Sequence, residues 1–182
     1  MKTVVLLCGV ANSGKTKTLK AFFDVSNIKR LRPLQLLERN LNGKKVYNIG
    51  STSPQEDAND FCNVEKIINR IRKRLKECEQ VSQGQDYVLI IPFTMERKDG
   101  KVNDRCIVKP IEWLKSEGFN VFSLYLRKEK TDLLHLKDTL MKRISATTIE
   151  SKKDEYDRQA KELESFTRKL ELGKKSESDT KS

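Results

Sequence analysis

Residues Gly9-Val10-Ala11-Asn12-Ser13-Gly14-Lys15-Thr16 set two glycines five positions apart and follow the second with a lysine and a hydroxyl. Each residue type has a physical use at its place. Glycines let a short loop curl until successive backbone N–H groups point inward, where they can meet phosphate oxygens. A helix starting just after Gly14 would add its own unpaired N–H groups and the positive end of its dipole. Lys15 is a mobile point charge suited to the β- and γ-phosphates of a nucleoside triphosphate, and the Thr16 hydroxyl is a ligand for Mg²⁺. The backbone of Gly9, Val10, Ala11, Asn12, Ser13, Gly14, Lys15, Thr16 and Lys17 is therefore the expected phosphate cradle. At ordinary glycine frequencies the pattern arises by chance in fewer than about one chain of this length in fifty.

Such a loop works only between a strand and a helix. Thr3 to Cys8 is β-branched and apolar and reads as a buried strand. Lys15 to Phe23 reads as a helix facing inward through Leu19, Phe22 and Phe23. Pro33 starts an expected short helix that Asn42-Gly43 ends. Lys45 to Gly50 reads as a second strand. Ser53-Pro54-Gln55-Glu56 then combines a cap, a first-turn proline and a returning carboxylate. It predicts one helix running to about Val81, with Val64, Ile67, Ile68, Ile71, Leu75 and Cys78 on its inner face. Tyr87-Val88-Leu89-Ile90-Ile91 is unbroken and suits a strand covered on both faces. Phe93 to Arg105 reads as a loop, Val108 to Ser116 as a helix carrying Trp113, and Phe119 to Leu126 as a strand. Leu133, Leu136, Leu140 and Ile144 predict a further helix. The alternation predicts a three-layer α/β domain over 1–147, with a mainly parallel sheet of about four or five strands. Ile149, Tyr156, Leu163 and Leu170 recur every seven residues. They predict a C-terminal helix within 148–172 that packs on the domain or on a partner chain. Residues 173–182 are polar and charged and read as a disordered tail.

With its flanking strand and helix, the segment 9–16 resembles the phosphate-binding loop of the P-loop NTPase superfamily, and the order of elements over 3–144 is similar. The resemblance implies a three-layer fold that binds ATP or GTP with Mg²⁺. No Asn-Lys-x-Asp stretch of the switch GTPases is present. The size and the charged loop after Ile91 look more like small P-loop kinases, such as the gluconate, shikimate and nucleoside monophosphate kinases. Leu124-Tyr125-Leu126-Arg127 and Leu140-Met141-Lys142-Arg143 are similar in layout to the strand and lid helix of those kinases. By that resemblance the catalytic charges are Lys15 and Arg143, with Arg127, Arg97 or Arg105 as substitutes for the latter. One departure matters. The superfamily ends its second motif strand in an Asp that supports Mg²⁺. Here the strand runs into Pro92-Phe93-Thr94, and Asp86 lies at its other end. The candidate replacements are Asp24, Glu56, Asp57, Asp60 and Glu96.

Charge gives a second theme. The 182 residues carry 37 Lys+Arg against 26 Asp+Glu, a net +11, so polyanionic partners are favoured. Lys66, Arg70, Arg72, Lys73, Arg74 and Lys76 contain no acid between them. Lys66, Arg70 and Lys73 share a helical face opposite the isoleucines. They suit a phosphorylated or polyanionic acceptor, or nucleic acid. A second basic stretch spans 29–45. Aromatic residues are not interleaved with these charges, which disfavours a single-strand stacking surface. The apolar runs are far short of the ~18–20 residues that cross a bilayer, so no membrane partner is expected. Cys8, Cys62, Cys78 and Cys106 form no C-x-x-C pair and read as free thiols of a cytoplasmic protein. His135 and Trp113 read as structural. Three functions stay open on the sequence: a kinase-like phosphotransferase of unnamed acceptor, a slow or non-catalytic nucleotide switch, and a nucleic-acid-binding protein.

Overall fold

The computed structural model describes residues 2–10, 13–25, 35–50, 52–57, 63–95, 104–127, 145–150 and 154–172. Among them the chain runs β1 (Lys2–Gly9), α1 (Lys15–Phe22), β2 (Leu36–Leu41), β3 (Lys44–Ile49), α2 (Pro54–Asp57), α3 (Val64–Ser82), β4 (Tyr87–Thr94), α4 (Asp104–Ser116), β5 (Asn120–Arg127), β6 (Ser145–Glu150) and α5 (Tyr156–Leu172). The sheet order is β2-β3-β4-β1-β5-β6. All neighbours are parallel except the β2–β3 pair. The fold is thus α/β with a mostly parallel, mixed six-stranded sheet.

β1 and β4 are buried on both faces, as their unbroken apolar runs require. Their alternate side chains enter separate cores. Val4, Leu6, Cys8, Leu89 and Ile91 meet Ile67 and Ile71 of α3 and Ile107 and Ile111 of α4. Val5, Leu7, Val88 and Ile90 meet Leu19 and Phe22 of α1 and Ala160 and Leu163 of α5. The helices that follow the adjacent strands β1 and β4 therefore lie on opposite faces. That divergence opens a crevice at the carboxyl ends of the strands, where α/β sheets bind ligands.

Four sequence expectations are corrected. The expected helix from Pro33 to Leu41 is instead the strand β2 over its described part. Asn42-Gly43, taken as a helix stop, is a two-residue hairpin turn with both φ angles positive, at 53° and 84°. That pair matches the twist of antiparallel strands. The single helix expected from Ser53 to Val81 is two elements, because Asn63 supplies a fresh cap: its Oδ1 accepts the Lys66 N–H at 3.0 Å. Residues 145–150 form β6, which takes the first residues of the helix expected within 148–172, so Ile149 is a strand residue buried beside β5. Ala-Thr-Thr-Ile is rich in β-branched side chains, which favours that outcome. The sheet accordingly has more strands than expected. The helix expected around Leu133 to Ile144, His135, and the tail 173–182 lie outside the described residues.

α5 packs against α1 and the sheet, with Ala160 and Leu163 buried. Thr18 Oγ1 donates to Gln159 Oε1 at 2.6 Å in a buried contact. Arg39 of β2 ties three elements: it donates to the Phe22 carbonyl at 2.6 Å and to Glu164 at 2.7 Å, and lies over the Phe22 ring. Cys8, Cys78 and Cys106 are buried free thiols.

Candidate functional site

The turn after β1 builds the site. Ser13 N–H donates to the Val10 carbonyl at 3.3 Å, which curls the chain back on itself. A Cβ on Gly9 would stand 2.3 Å from Ser13 Oγ, so only glycine permits that curl without rearrangement. Gly14 has φ +88° and forms the N-cap of α1, with no side chain to cap it. The first intrahelical bond is Thr18 N–H to the Gly14 carbonyl at 2.9 Å. The N–H groups of the residues before Thr18 have no helical acceptor and face the end of the helix, where an anion is favoured.

Lys15 folds back over this turn. Its Nζ donates to the carbonyls of Gly9 at 3.0 Å and Val10 at 2.8 Å and reaches Ser13 Oγ at 3.4 Å. The side chain is 8% exposed, which makes its charge costly. Burial pushes its pKa down to about 8, with the negative charges of Glu56 and a Cys8 thiolate acting the other way. The Cys8 thiol is itself pushed up to about 12 by burial, so at neutral pH it carries no charge and the influence favouring the ammonium comes from Glu56.

A cleft of about 330 Å³ opens above the turn. It is lined by residues 13–17, Ser53, Glu56, Pro92 and Tyr156. Ser53 and Glu56 hold each other in the capping arrangement the sequence implied. Glu56 N–H donates to Ser53 Oγ at 3.3 Å, and Ser53 N–H donates to Glu56 Oε2 at 3.0 Å. The carboxylate is thereby fixed at the cleft while staying exposed.

The wall at Pro92 depends on how β4 loses its neighbour. β3 pairs with β4 only from Lys45–Tyr87 to Tyr47–Leu89. Beyond that, side chains finish the edge. Asn48 Nδ2 donates to the Ile90 carbonyl at 2.9 Å, and the buried Gln55 donates to the Thr94 carbonyl at 3.1 Å. Pro92, two residues from each, shares that edge, where its missing N–H leaves no gap in a ladder. Thr94 Oγ1 bonds Ser53 Oγ at 2.9 Å. The end of β4 thus carries a hydroxyl pair, in keeping with the departure read from its sequence.

Tyr156 enters from the start of α5. A Cβ on Gly14 would meet its Cε1 at 2.8 Å. Lys17 Nζ donates to its hydroxyl at 3.3 Å and lies 4.6 Å from its ring centroid. Sequence reasoning counted Tyr156 only in an apolar stripe. The usable signal was its position at the head of a helix that follows a parallel strand, hence at the ligand-binding edge of the sheet.

The other expected residues divide clearly. Ser13, Gly14, Lys15, Thr16 and Lys17 are brought together, with Gly9 and Val10 beneath them; Ala11 and Asn12 lie outside the described residues. Of the carboxylate candidates, Glu56 is in the cleft. Asp24 is exposed just past the far end of α1. Asp60, Glu96 and the side chain of Asp57 lie outside the described residues. So do Arg97, Arg143 and the side chain of Arg127, whereas Arg105 is exposed on α4 and does not line the cleft. Trp113 is half-buried against the α3–α4 core, with Arg72 stacked 5.2 Å from its centroid. Lys66, Arg70 and Lys73 line a separate concavity of about 460 Å³ with Asn69. Arg74 leaves this basic group. It is 1% exposed and donates to the Thr52 carbonyl at 2.8 Å. Lys45 of the second basic stretch pairs with Glu38. Lys29, Arg30 and Arg32 lie outside the described residues.

No family model and no curated protein matches the chain. Among solved structures it is similar to a de novo designed PLOOP2X3_50 fold protein determined by solution NMR. The identity is 16%, the alignment covers 96% of this chain and 97% of that one, and the TM-score is 0.51. A second de novo designed protein aligns at 15% identity over 91% of this chain and 90% of its own, with a TM-score of 0.47. The first likeness speaks to the α/β fold alone. No helix among the described residues is long and apolar enough to cross a membrane.

Proposed function

We propose that this chain binds a nucleoside triphosphate, ATP or GTP, at the Lys15 cleft and acts as a kinase-like phosphotransferase of the P-loop type. The observation that carries the reading is Lys15 itself. A lysine that is 8% exposed, braced by two carbonyls beside a helix end without a side-chain cap, gains most from a partner carrying several negative charges. A polyphosphate is such a partner. It would accept from the ammonium and from the amides at the start of α1. Thr16 fits the role of Mg²⁺ ligand, and a metal held there would offset charge on the β- and γ-oxygens. The chain's own contribution to transfer is positioning and electrostatics, supplied by Lys15 and, by the resemblance, Arg143. The acceptor would enter from the Ser53–Glu56 side of the cleft.

Isothermal titration tests the reading. Lys15→Ala should weaken ATP binding by at least about tenfold, the equivalent of roughly 1.4 kcal/mol, and leave adenosine binding unchanged. Equal ATP affinity in both proteins would remove the assignment.

A second reading has its own observation. The concavity on α3 is lined by Lys66, Asn69, Arg70 and Lys73 and shares no residue with the Lys15 cleft. It favours binding of a nucleic-acid backbone there, with an affinity that falls steeply as salt rises.

A further inference from the structure

We infer that Glu56 is the carboxylate that supports Mg²⁺ in this chain, in place of the acid absent from the end of β4. The inference rests on the nucleotide reading above and deepens it. β4 ends in Thr94, whose hydroxyl is taken up with Ser53 and whose backbone is held by Gln55. No residue of β4 itself carries an anionic side chain to turn toward a metal. Glu56 is the one carboxylate among the described residues that line the cleft, and Thr16 lines the same space. The described residues contain no cluster of three or more potential ligands that could hold a metal unaided. That suits Mg²⁺, which is usually bound through one or two carboxylates plus substrate phosphates and keeps several of its waters.

The backbone fixes the carboxylate in advance. One oxygen, Oε2, accepts from Ser53 N–H at 3.0 Å, which sets its direction. The residue stays exposed, so water can reach the other oxygen and bridge it to a metal. Glu56 also acts on Lys15 through space, favouring the ammonium. One carboxylate would thus serve both the Lys15 ammonium and a metal held at Thr16. It comes from the helix start after β3 rather than from the strand beside β1.

The capping geometry makes a clean test available. Gln serves as well as Glu at the third helical position of a capping box, so Glu56→Gln removes the charge and keeps the fold of α2. The full-length protein would be titrated with ATP in EDTA, and the ATP-bound protein then titrated with Mn²⁺, with free Mn²⁺ read by electron paramagnetic resonance. In Glu56→Gln, Mn²⁺ affinity should fall by about 10–100-fold, the usual effect of losing a ligand's outer-shell carboxylate. Metal-free ATP affinity should stay level or rise, since a negative charge near the phosphates is gone. Unchanged Mn²⁺ affinity in Glu56→Gln would overturn the inference. So would an equal loss of metal-free and metal-bound ATP, which would make Glu56 structural. Absence of ATP binding in the unaltered protein would instead overturn the nucleotide reading itself.

Discussion

Nucleotide binding should draw a proton from solution, because the free protein holds Lys15 in a place that disfavours its charge. With a pKa of about 8, the amine is half neutral near pH 8. A polyphosphate beside Nζ favours the ammonium and returns the pKa to or above its ordinary value. The proton uptake on binding follows from the difference between the two titration curves. It is about 0.1 per site at pH 7, about 0.5 at pH 8 and about 0.9 at pH 9. The nucleotide adds little above pH 8, since the last phosphate ionisation has a pKa of about 6. The Cys8 thiol, at about 12, does not titrate in this window. Calorimetric titration with ATP in two buffers of different ionisation enthalpy reads the uptake directly. A companion effect appears without ligand. Between about pH 8 and the ordinary lysine value of 10.5, the unfolded chain binds the Lys15 proton and the folded chain does not. Lys15 should therefore contribute a rise in stability with pH across that window, of up to about 3 kcal/mol, against the opposite contribution of the buried Cys8 and Cys78 thiols, and Lys15→Met should remove its share. Tight ATP binding with no proton uptake at pH 8–9 would refute the argument, because Lys15 would then be charged in the free protein despite its burial.

Two further perturbations probe separate parts of the molecule. If α3 binds a nucleic-acid backbone, retention of a duplex should fall steeply with salt through counterion release, and Arg70→Glu with Lys73→Glu should abolish it while ATP binding persists; no retention at low salt would leave those charges as a solvated face. Leu163 is fully buried between α5 and the α1 side of the sheet, so Leu163→Ala should cost about 2–5 kcal/mol in urea denaturation, and a cost near zero would mean that α5 does not dock as described.

How far the chain could be read from its residues depended on how local each signal was. The Ser53–Glu56 capping arrangement was legible because both partners lie within one helical turn, and both of its hydrogen bonds are present. The outward face of Lys66, Arg70 and Lys73 followed from spacing against Ile67 and Ile71, which are buried. The hairpin at Asn42-Gly43 was misread although its turn chemistry is local. The same pair that stops a helix also closes a two-residue hairpin, and only pairing partners on both sides distinguish the two. Ile149 was misassigned for a related reason: a seven-residue recurrence through Tyr156, Leu163 and Leu170 continued by chance into a strand.

By itself the sequence determined the loop from Gly9 to Thr16, its setting between a strand and a helix, and the apolar periods of the buried elements. These follow from backbone freedom and side-chain spacing within a few residues. The tertiary structure decided what stands around the loop. Tyr156 reaches Lys17 across 139 positions, Gln159 reaches Thr18 across 141, and Gln55 completes the β4 edge 39 positions away. It also brought Glu56, alone of the candidate carboxylates whose side chains are described, into the cleft, because the start of α2 packs on the end of β4, the strand next to β1. Such meetings are set by which strands pair and by which face each helix covers, and no local period encodes them.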